Sequence, residues 1–256
     1  MTMVVIEPMR EEHAAETAAM LRDSFAPSVR PFLAYAQHGT AAFLASDLGR
    51  GDDRSRLVAI DGAGAVVGFA EFRIDPVETS TVHLGYLAVH ESARRRGVAT
   101  KLLDAVGRRA GEAAVALEVF ADNRVAVALY EALGFERDVS GAWASRAIDA
   151  RPSADDVGLS LPSSGLERHG FTAGLASWHD DSLSIGLIGR DVVRVPPAHL
   201  GDDALLRALR ASRPSLRRAF AIVPTAEIER LPADARLEVS TIRMRGHLQP
   251  DGRWAR

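Results

Sequence analysis

The stretch Tyr86-Leu87-Ala88-Val89-His90-Glu91-Ser92-Ala93-Arg94-Arg95-Arg96-Gly97-Val98-Ala99-Thr100 decides how the chain folds. Its first part closes an apolar run of strand character, Thr79 to His90. Its last part opens a segment with apolar side chains at Val98, Leu102, Val106 and Ala110, the one-sided spacing of a helix. A turn between strand and helix exposes backbone N–H groups at the positive end of a helix dipole, and Gly97 and Ala99 are small enough to let a phosphate approach them. The junction suits a diphosphate, with Arg94, Arg95 and Arg96 as donors for charge-assisted contacts to its oxygens. Taken without their neighbours, the same arginines read equally as a solvated cluster ahead of a helix.

Upstream, Met3 to Ile6 has strand character, Glu11 to Phe25 has helical spacing, and a second helix is expected from Arg30 to Leu48. A polar loop from Arg50 to Asp53 follows. Leu57 to Ile60, the turn Asp61-Gly62-Ala63-Gly64 and Ala65 to Ile74 then make a β-hairpin signal. Downstream, the buried-strand run Ala113 to Phe120 completes a strand, helix, strand unit, which implies parallel strands and a right-handed crossover. Val125, Leu129 and Leu133 form a helical stripe stopped by Gly134, with closing strands at Phe135 to Arg137 and Ala142 to Ile148. Asp149 to Gly165, rich in Pro, Ser, Asp and Gly, is the linker candidate. Beyond it, strands are expected at Phe171 to Trp178, Leu183 to Val195, Ala219 to Val223 and Leu237 to Arg245. A helix is expected from Asp202 to Ala211, and a frayed tail from Gln249 to Arg256.

The chain has 256 residues, 47% hydrophobic and 25% charged, a soluble balance long enough for one large domain or two modest ones. No run of about 18 apolar residues exists. Met1 to Glu12 is acidic where an export signal would be basic and then apolar, so a cytoplasmic protein without membrane contact is expected. The absence of cysteine removes disulfides, thiolate zinc sites and cysteine nucleophiles. Lys101 is the one lysine, so the many arginines read as a compositional habit. Residues 1–150 hold 16 basic against 21 acidic side chains and residues 151–256 hold 15 against 13, neither being the balance of a nucleic-acid binder. His169, His179, Asp180 and Asp181 show no metal-ligand spacing, and no serine sits in a nucleophile elbow.

Three motifs in order give the central turn its meaning. Arg94-x-x-Gly97-x-Ala99 resembles the acetyl-CoA signature of the GNAT acetyltransferase family, Gln/Arg-x-x-Gly-x-Gly/Ala. Tyr86-Leu87-Ala88-Val89 resembles that family's fourth strand, and Asn123-x-x-Ala126-x-x-x-Tyr130-x-x-x-Gly134-Phe135 its second signature. The resemblance covers residues 1 to about 150. It implies an α/β (α+β) fold with a mixed, splayed central sheet of the acyl-CoA N-acyltransferase type flanked by helices. In that family Leu87, Ala88 and Val89 would offer backbone groups to the pantetheine arm of acetyl-CoA. Arg94, Arg95, Arg96, Gly97, Val98, Ala99 and Thr100 would surround the diphosphate, Asn123 would touch the cofactor near its pantetheine or phosphates, and Tyr130 would lie near the thioester sulfur. The expected organisation is an acetyltransferase domain at 1–150, a linker at 151–165 and a second, smaller α/β domain at 166–256. That second domain reads as a degenerate GNAT-like repeat: after Val192 to Val195 come Pro196-Pro197-Ala198-His199-Leu200-Gly201, where prolines remove N–H donors. Covering the first domain's sheet, walling the acceptor cleft or making a homodimer contact are its expected roles.

The implied reaction is transfer of acetyl from acetyl-CoA to a primary amine, on a small molecule or a peptide, by direct attack in a ternary complex. A phenol close to the sulfur can protonate the departing thiolate, which suits Tyr130; packing on the sheet is its alternative reading. An ammonium must lose a proton before attack, so a base near the fourth strand is expected. The candidates are His83, Glu71 and Glu118. His83, four residues before Leu87, is expected on that residue's face; the other reading is a half-buried histidine with no proton to move. Glu71 would recruit the amine or sit on a solvated strand face. A non-catalytic acyl-CoA-binding module is the competing function.

Overall fold

The computed structural model describes residues 4–48, 54–74, 80–111, 113–148, 159–179, 181–249 and 254. In chain order the elements are β1 (Val5–Pro8), α1 (Ala14–Ser24), α2 (Thr40–Ser46), β2 (Arg54–Ile60), β3 (Val66–Ile74), β4 (Thr81–Val89), α3 (Val98–Ala110), β5 (Ala114–Phe120), α4 (Arg124–Ala132) and β6 (Glu136–Ala147). There follow α5 (Leu166–His169), β7 (Phe171–Trp178), β8 (Asp181–Ile188), β9 (Val192–Arg194), α6 (Asp203–Ser212), β10 (Arg218–Pro224) and β11 (Arg236–Gly246). The chain divides into two compact units. One comprises Met1–Ser24, Leu44–Ser140 and Thr241–Arg256; the other comprises Phe25–Phe43 and Gly141–Ser240. Of the expected linker, residues 151–158 lie outside those described; Leu159 and Leu161 pack on the second unit's core.

In the first unit β1, β2, β3 and β4 pair antiparallel in sequence, and β4 pairs parallel with β5. The hairpin turn forms because the Asp61 carboxylate accepts from the Ala63 and Ala65 amides (2.9 and 3.1 Å) while Gly64 takes a left-handed φ of 85°. The crossover helix α3 buries Val98, Leu102 and Val106, as its spacing predicts. It lies so close to β3 that a Cβ on Gly68 would stand 2.9 Å from Val98 Cγ1. On α4 Leu129 and Leu133 pack against the core as expected, but Val125 is 83% exposed, and Val127 and Tyr130 are buried there with Phe135. Within the expected frayed tail, residues 250–253, 255 and 256 lie outside those described, and Trp254 is anchored. The Trp254 indole is buried against Gly107 and Phe135, and its N–H donates to Asp104 (3.0 Å), so the large apolar ring comes with a satisfied polar edge.

The second unit repeats this logic. β7, β8 and β9 pair antiparallel, and α6 carries the chain across to β10, parallel to β9. One helix face, with Leu205, Leu206 and Leu209, packs on Ile185, Leu187, Val193 and Ala221. Gly189, at φ 60°, turns the single strand expected from Leu183 to Val195 into β8 and β9. The closing strands are exchanged in chain connectivity: β6 pairs with β10 over Gly141–Ala147, while β11 pairs with β5 over Thr241–Gly246.

Residues 30–48 are not one helix. Pro31 removes an N–H donor, and the chain makes two 3-10 turns, Arg30–Phe32 and Ala34–Ala36, before α2. What orders it is tertiary. Phe32 packs on Trp143 and Phe220 (centroids 6.5 and 5.2 Å), Phe43 packs on Phe171 (4.9 Å), and the Gly39 amide donates to the His169 carbonyl (3.2 Å). A Cβ on Gly39 would stand 2.1 Å from the Arg168 carbonyl oxygen. Gly39→Ala is therefore expected to destabilise the fold by about 3 kcal/mol, read as a shift in the denaturant midpoint.

Candidate active site

The site begins with a defect in β4. Glu71 pairs with Tyr86 but Phe72 pairs with Leu84, so Gly85 is an extra residue, a β-bulge. Just there β4 parts from β5. Their parallel ladder runs from Thr81↔Ala114 to Leu84↔Leu117, and among the described residues no pair joins Gly85–Val89 to β5, although β5 continues to Phe120 along β11. An opening in the sheet results, bordered on one side by the backbone of Leu87, Ala88 and Val89.

At the end of β4 the chain passes through a 3-10 turn, Glu91–Ala93, into the glycine turn. Arg94 Nε donates back to the Val89 carbonyl (3.2 Å), which braces the strand end. Arg95 has φ 60°, a conformation that costs a non-glycine residue on the order of 1–2 kcal/mol, and Gly97 caps α3 at φ 77°. Arg95 and Gly97 are thus both left-handed within one exposed turn, the kind of backbone in which anion-binding nests form. The first helical bond joins the Lys101 amide to the Gly97 carbonyl (3.0 Å), so the amides of Val98, Ala99 and Thr100 precede the ladder. A Cβ on Gly97 would meet nothing within 4 Å: the space in front of these amides is open. Small residues, oriented donors and open space fit a coenzyme diphosphate.

The start of α6 is built differently. Asp202 Oδ1 accepts from the Leu205 amide (3.0 Å) and Oδ2 from the Trp178 indole (3.1 Å). Partial burial opposes the charge, but these bonds and that from the Ala204 amide hold the carboxyl below the ordinary carboxylate range. A carboxylate already sits on this helix dipole, where it would repel a diphosphate.

The bulge also sorts the side chains. An extra residue inverts the two-residue alternation, so His83 does not share the face of Leu87, as strict alternation predicts. His83 pairs with Arg73 and Tyr86 with Glu71, on one face; Leu84 and Leu87 pair with Phe72 and Ala70 on the other, which packs on α3. Glu118 follows Ala116, the partner of His83, and lies on the His83 face as well. All three base candidates thus share one face. Glu71 is not on a solvated face: it is 7% exposed and ion-paired with Arg56, a partner that sequence reading missed because only the hairpin register brings the two together. Gly85 was missed too, although an isolated glycine within a strand signals a bulge.

Tyr130 belongs to the opposite face. It is 6% exposed in the core with Leu84, Leu117 and Val119, its ring 5.5 Å from Phe135, and burial pushes its pKa well above the ordinary phenol value. The phenol therefore keeps its proton at neutral pH. Asn123 caps α4, its side-chain oxygen accepting from the Ala126 amide (3.2 Å).

A mixed sheet parted beside a glycine turn at a helix start is the fold of the acyl-CoA N-acyltransferases. Residues 18–135 match the acetyltransferase (GNAT) family. Over nearly its whole length it is similar in fold to a tandem GNAT protein from the clavulanic acid biosynthesis pathway (TM-score 0.69, 12% identity, 97% of this chain and 99% of that one). It is likewise similar to a GCN5-related N-acetyltransferase from Sphaerobacter thermophilus (0.63, 12%, 96% of each chain). A third likeness is to a putative acetyltransferase from Pyrococcus horikoshii (0.60, 17%, 94% of this chain and 88% of that one). No curated protein matches the chain. The whole-chain matches extend the likeness in fold over the second unit. Among the described residues no helix is long and apolar enough to cross a membrane.

Proposed function

We propose that the protein transfers the acetyl group of acetyl-CoA to a primary amine by direct attack in a ternary complex. The observation that carries this reading is the open, left-handed turn at the start of α3, next to the point where β4 leaves β5. The amides from Arg95 to Thr100 hold the diphosphate, helped by Arg95 and Arg96. The free edge of Leu87–Val89 pairs with the pantetheine arm, and Asn123 donates to the cofactor.

The opening in the sheet gives the reaction its two sides. An amine bound on the His83 and Glu71 face gives up its proton to His83, directly or through water, an imidazole nitrogen being a ready acceptor when neutral. From the α4 side Tyr130, kept neutral by burial, donates to the departing thiolate. With no cysteine in the chain, an acyl-cysteine route is closed. The acceptor is a small-molecule or peptide amine.

The test is an amine panel assayed for free thiol release from acetyl-CoA. Release dependent on one class of amine supports transfer. Binding of acetyl-CoA with no release across the panel would make the protein a non-catalytic binding module, the reading favoured by Tyr130's place in the core. With an acceptor found, His83→Gln is expected to remove the acidic limb of the pH–rate profile and lower turnover by about 100-fold. Persistence of that limb would exclude His83 as the base.

A further inference from the structure

Tyr130 stands in the last turn of α4, and a local motif ties it to Phe135. Gly134, at φ 82°, ends the helix: its amide donates to the Glu131 carbonyl and the Phe135 amide to the Tyr130 carbonyl, both at 2.9 Å. This pair of bonds is a Schellman cap, whose side-chain contact joins the residue after the glycine to the one five places earlier. Here that contact is Phe135 on Tyr130, with ring centroids 5.5 Å apart. Helix ends fray, so a phenol in a last turn is only as fixed as the ring it leans on.

What holds the Phe135 ring comes from the far end of the chain. Trp254 lies on it with centroids 4.9 Å apart, and the indole N–H donates to Asp104 in the middle of α3 (3.0 Å). An antiparallel bridge joins Trp254 to Leu248, just after β11. Two glycines make the room: a Cβ on Gly107 would stand 3.1 Å from Trp254 Cη2, and one on Gly246 would stand 2.8 Å from Phe135 Cδ2. Tyr130, Phe135 and Trp254 therefore form one buried row of rings between α4 and α3. In a close-packed row the middle ring keeps its rotamer while both neighbours are present. Removal of the outer ring leaves a cavity into which Phe135 can turn, away from Tyr130.

We infer that Trp254 is a positioning residue, which through Phe135 fixes the place of the Tyr130 phenol. The inference rests on the proposed role of Tyr130 as the acid that protonates the departing thiolate. Trp254 takes no part in the proton transfer; it acts through Phe135 alone. Placement matters because a shift of about 1 Å in a catalytic group can cost up to about 100-fold in rate.

Two readouts on the full chain test this. The first needs no turnover. With tyrosines carrying 13C at Cζ, the Tyr130 resonance is assigned by its loss in Tyr130→Phe. It is expected as a single line in wild type and in Trp254→Phe, and as a shifted, broadened line in Trp254→Ala. The second readout uses the amine found by thiol release. Trp254→Ala is expected to lower kcat about tenfold with coenzyme affinity within about twofold, and Trp254→Phe to recover most of the loss. Added to Tyr130→Phe, Trp254→Ala should have no further effect on kcat, whereas a residue that only supports the fold would lower kcat by the same factor in both backgrounds. Asp104→Ala, which removes the indole's acceptor and keeps the ring, should act about threefold in the same direction and serves if Trp254→Ala does not fold. A Tyr130 resonance unmoved in the folded variants, or equal factors in the two backgrounds, would overturn the inference. An inert amine panel would refute acetyl transfer, and the resonance alone would then decide whether Trp254 fixes the phenol.

Discussion

Gly97→Glu is expected to abolish coenzyme A binding. The substitution acts twice. It places a side chain at φ 77°, a conformation costing roughly 1–2 kcal/mol, and it fills the open space before the α3 amides with a carboxylate. The second effect dominates: a like charge against a desolvated diphosphate costs several kcal/mol, so affinity should fall by at least about 100-fold in calorimetric titration. Gly97→Ala separates the two. Its methyl group meets nothing, and its strain is present with and without ligand, so affinity should stay within about tenfold of wild type. An unchanged affinity in Gly97→Glu would mean that the diphosphate binds elsewhere.

Tyr130→Phe is expected to lower turnover by about 100-fold or more, the scale of a positioned general acid, while coenzyme affinity stays within about twofold. The phenyl ring keeps the contact with Phe135, so stability should be little changed. Burial holds the phenol neutral well past its ordinary range. In wild type, therefore, no alkaline limb should begin near pH 10 through Tyr130, and turnover should depend on the hydroxyl alone. Unchanged turnover in the variant would leave Tyr130 as core packing only.

The centre of the fold was legible because three local signals coincide: an apolar strand, a turn with glycine at its helix-capping position, and a stripe at helical spacing. Those signals found β4, Gly97 and α3 directly. What stayed hidden depends on register or on distant partners. Strict alternation put His83 with Leu87; the bulge at Gly85 inverts that, and His83 lies with Glu71 instead. The α4 stripe was counted from Val125, which faces solvent, whereas Tyr130, whose alternative reading was packing on the sheet, is buried. Residues 30–48 carry helical spacing, but aromatic packing and a glycine docked on the Arg168–His169 backbone set their path. Arg56 and Glu71 are 15 residues apart, and no local pattern announces a pair that only a hairpin register creates. Trp254 finds its place on α3 through tertiary contact in the same way.

The most direct measurement is a crystal structure with coenzyme A bound. The account predicts the diphosphate on the amides of the Arg95–Thr100 segment and the pantetheine arm along Leu87–Val89, entering where β4 and β5 separate. A coenzyme seated elsewhere, with the glycine turn vacant or its amides bonded into the protein, would contradict it.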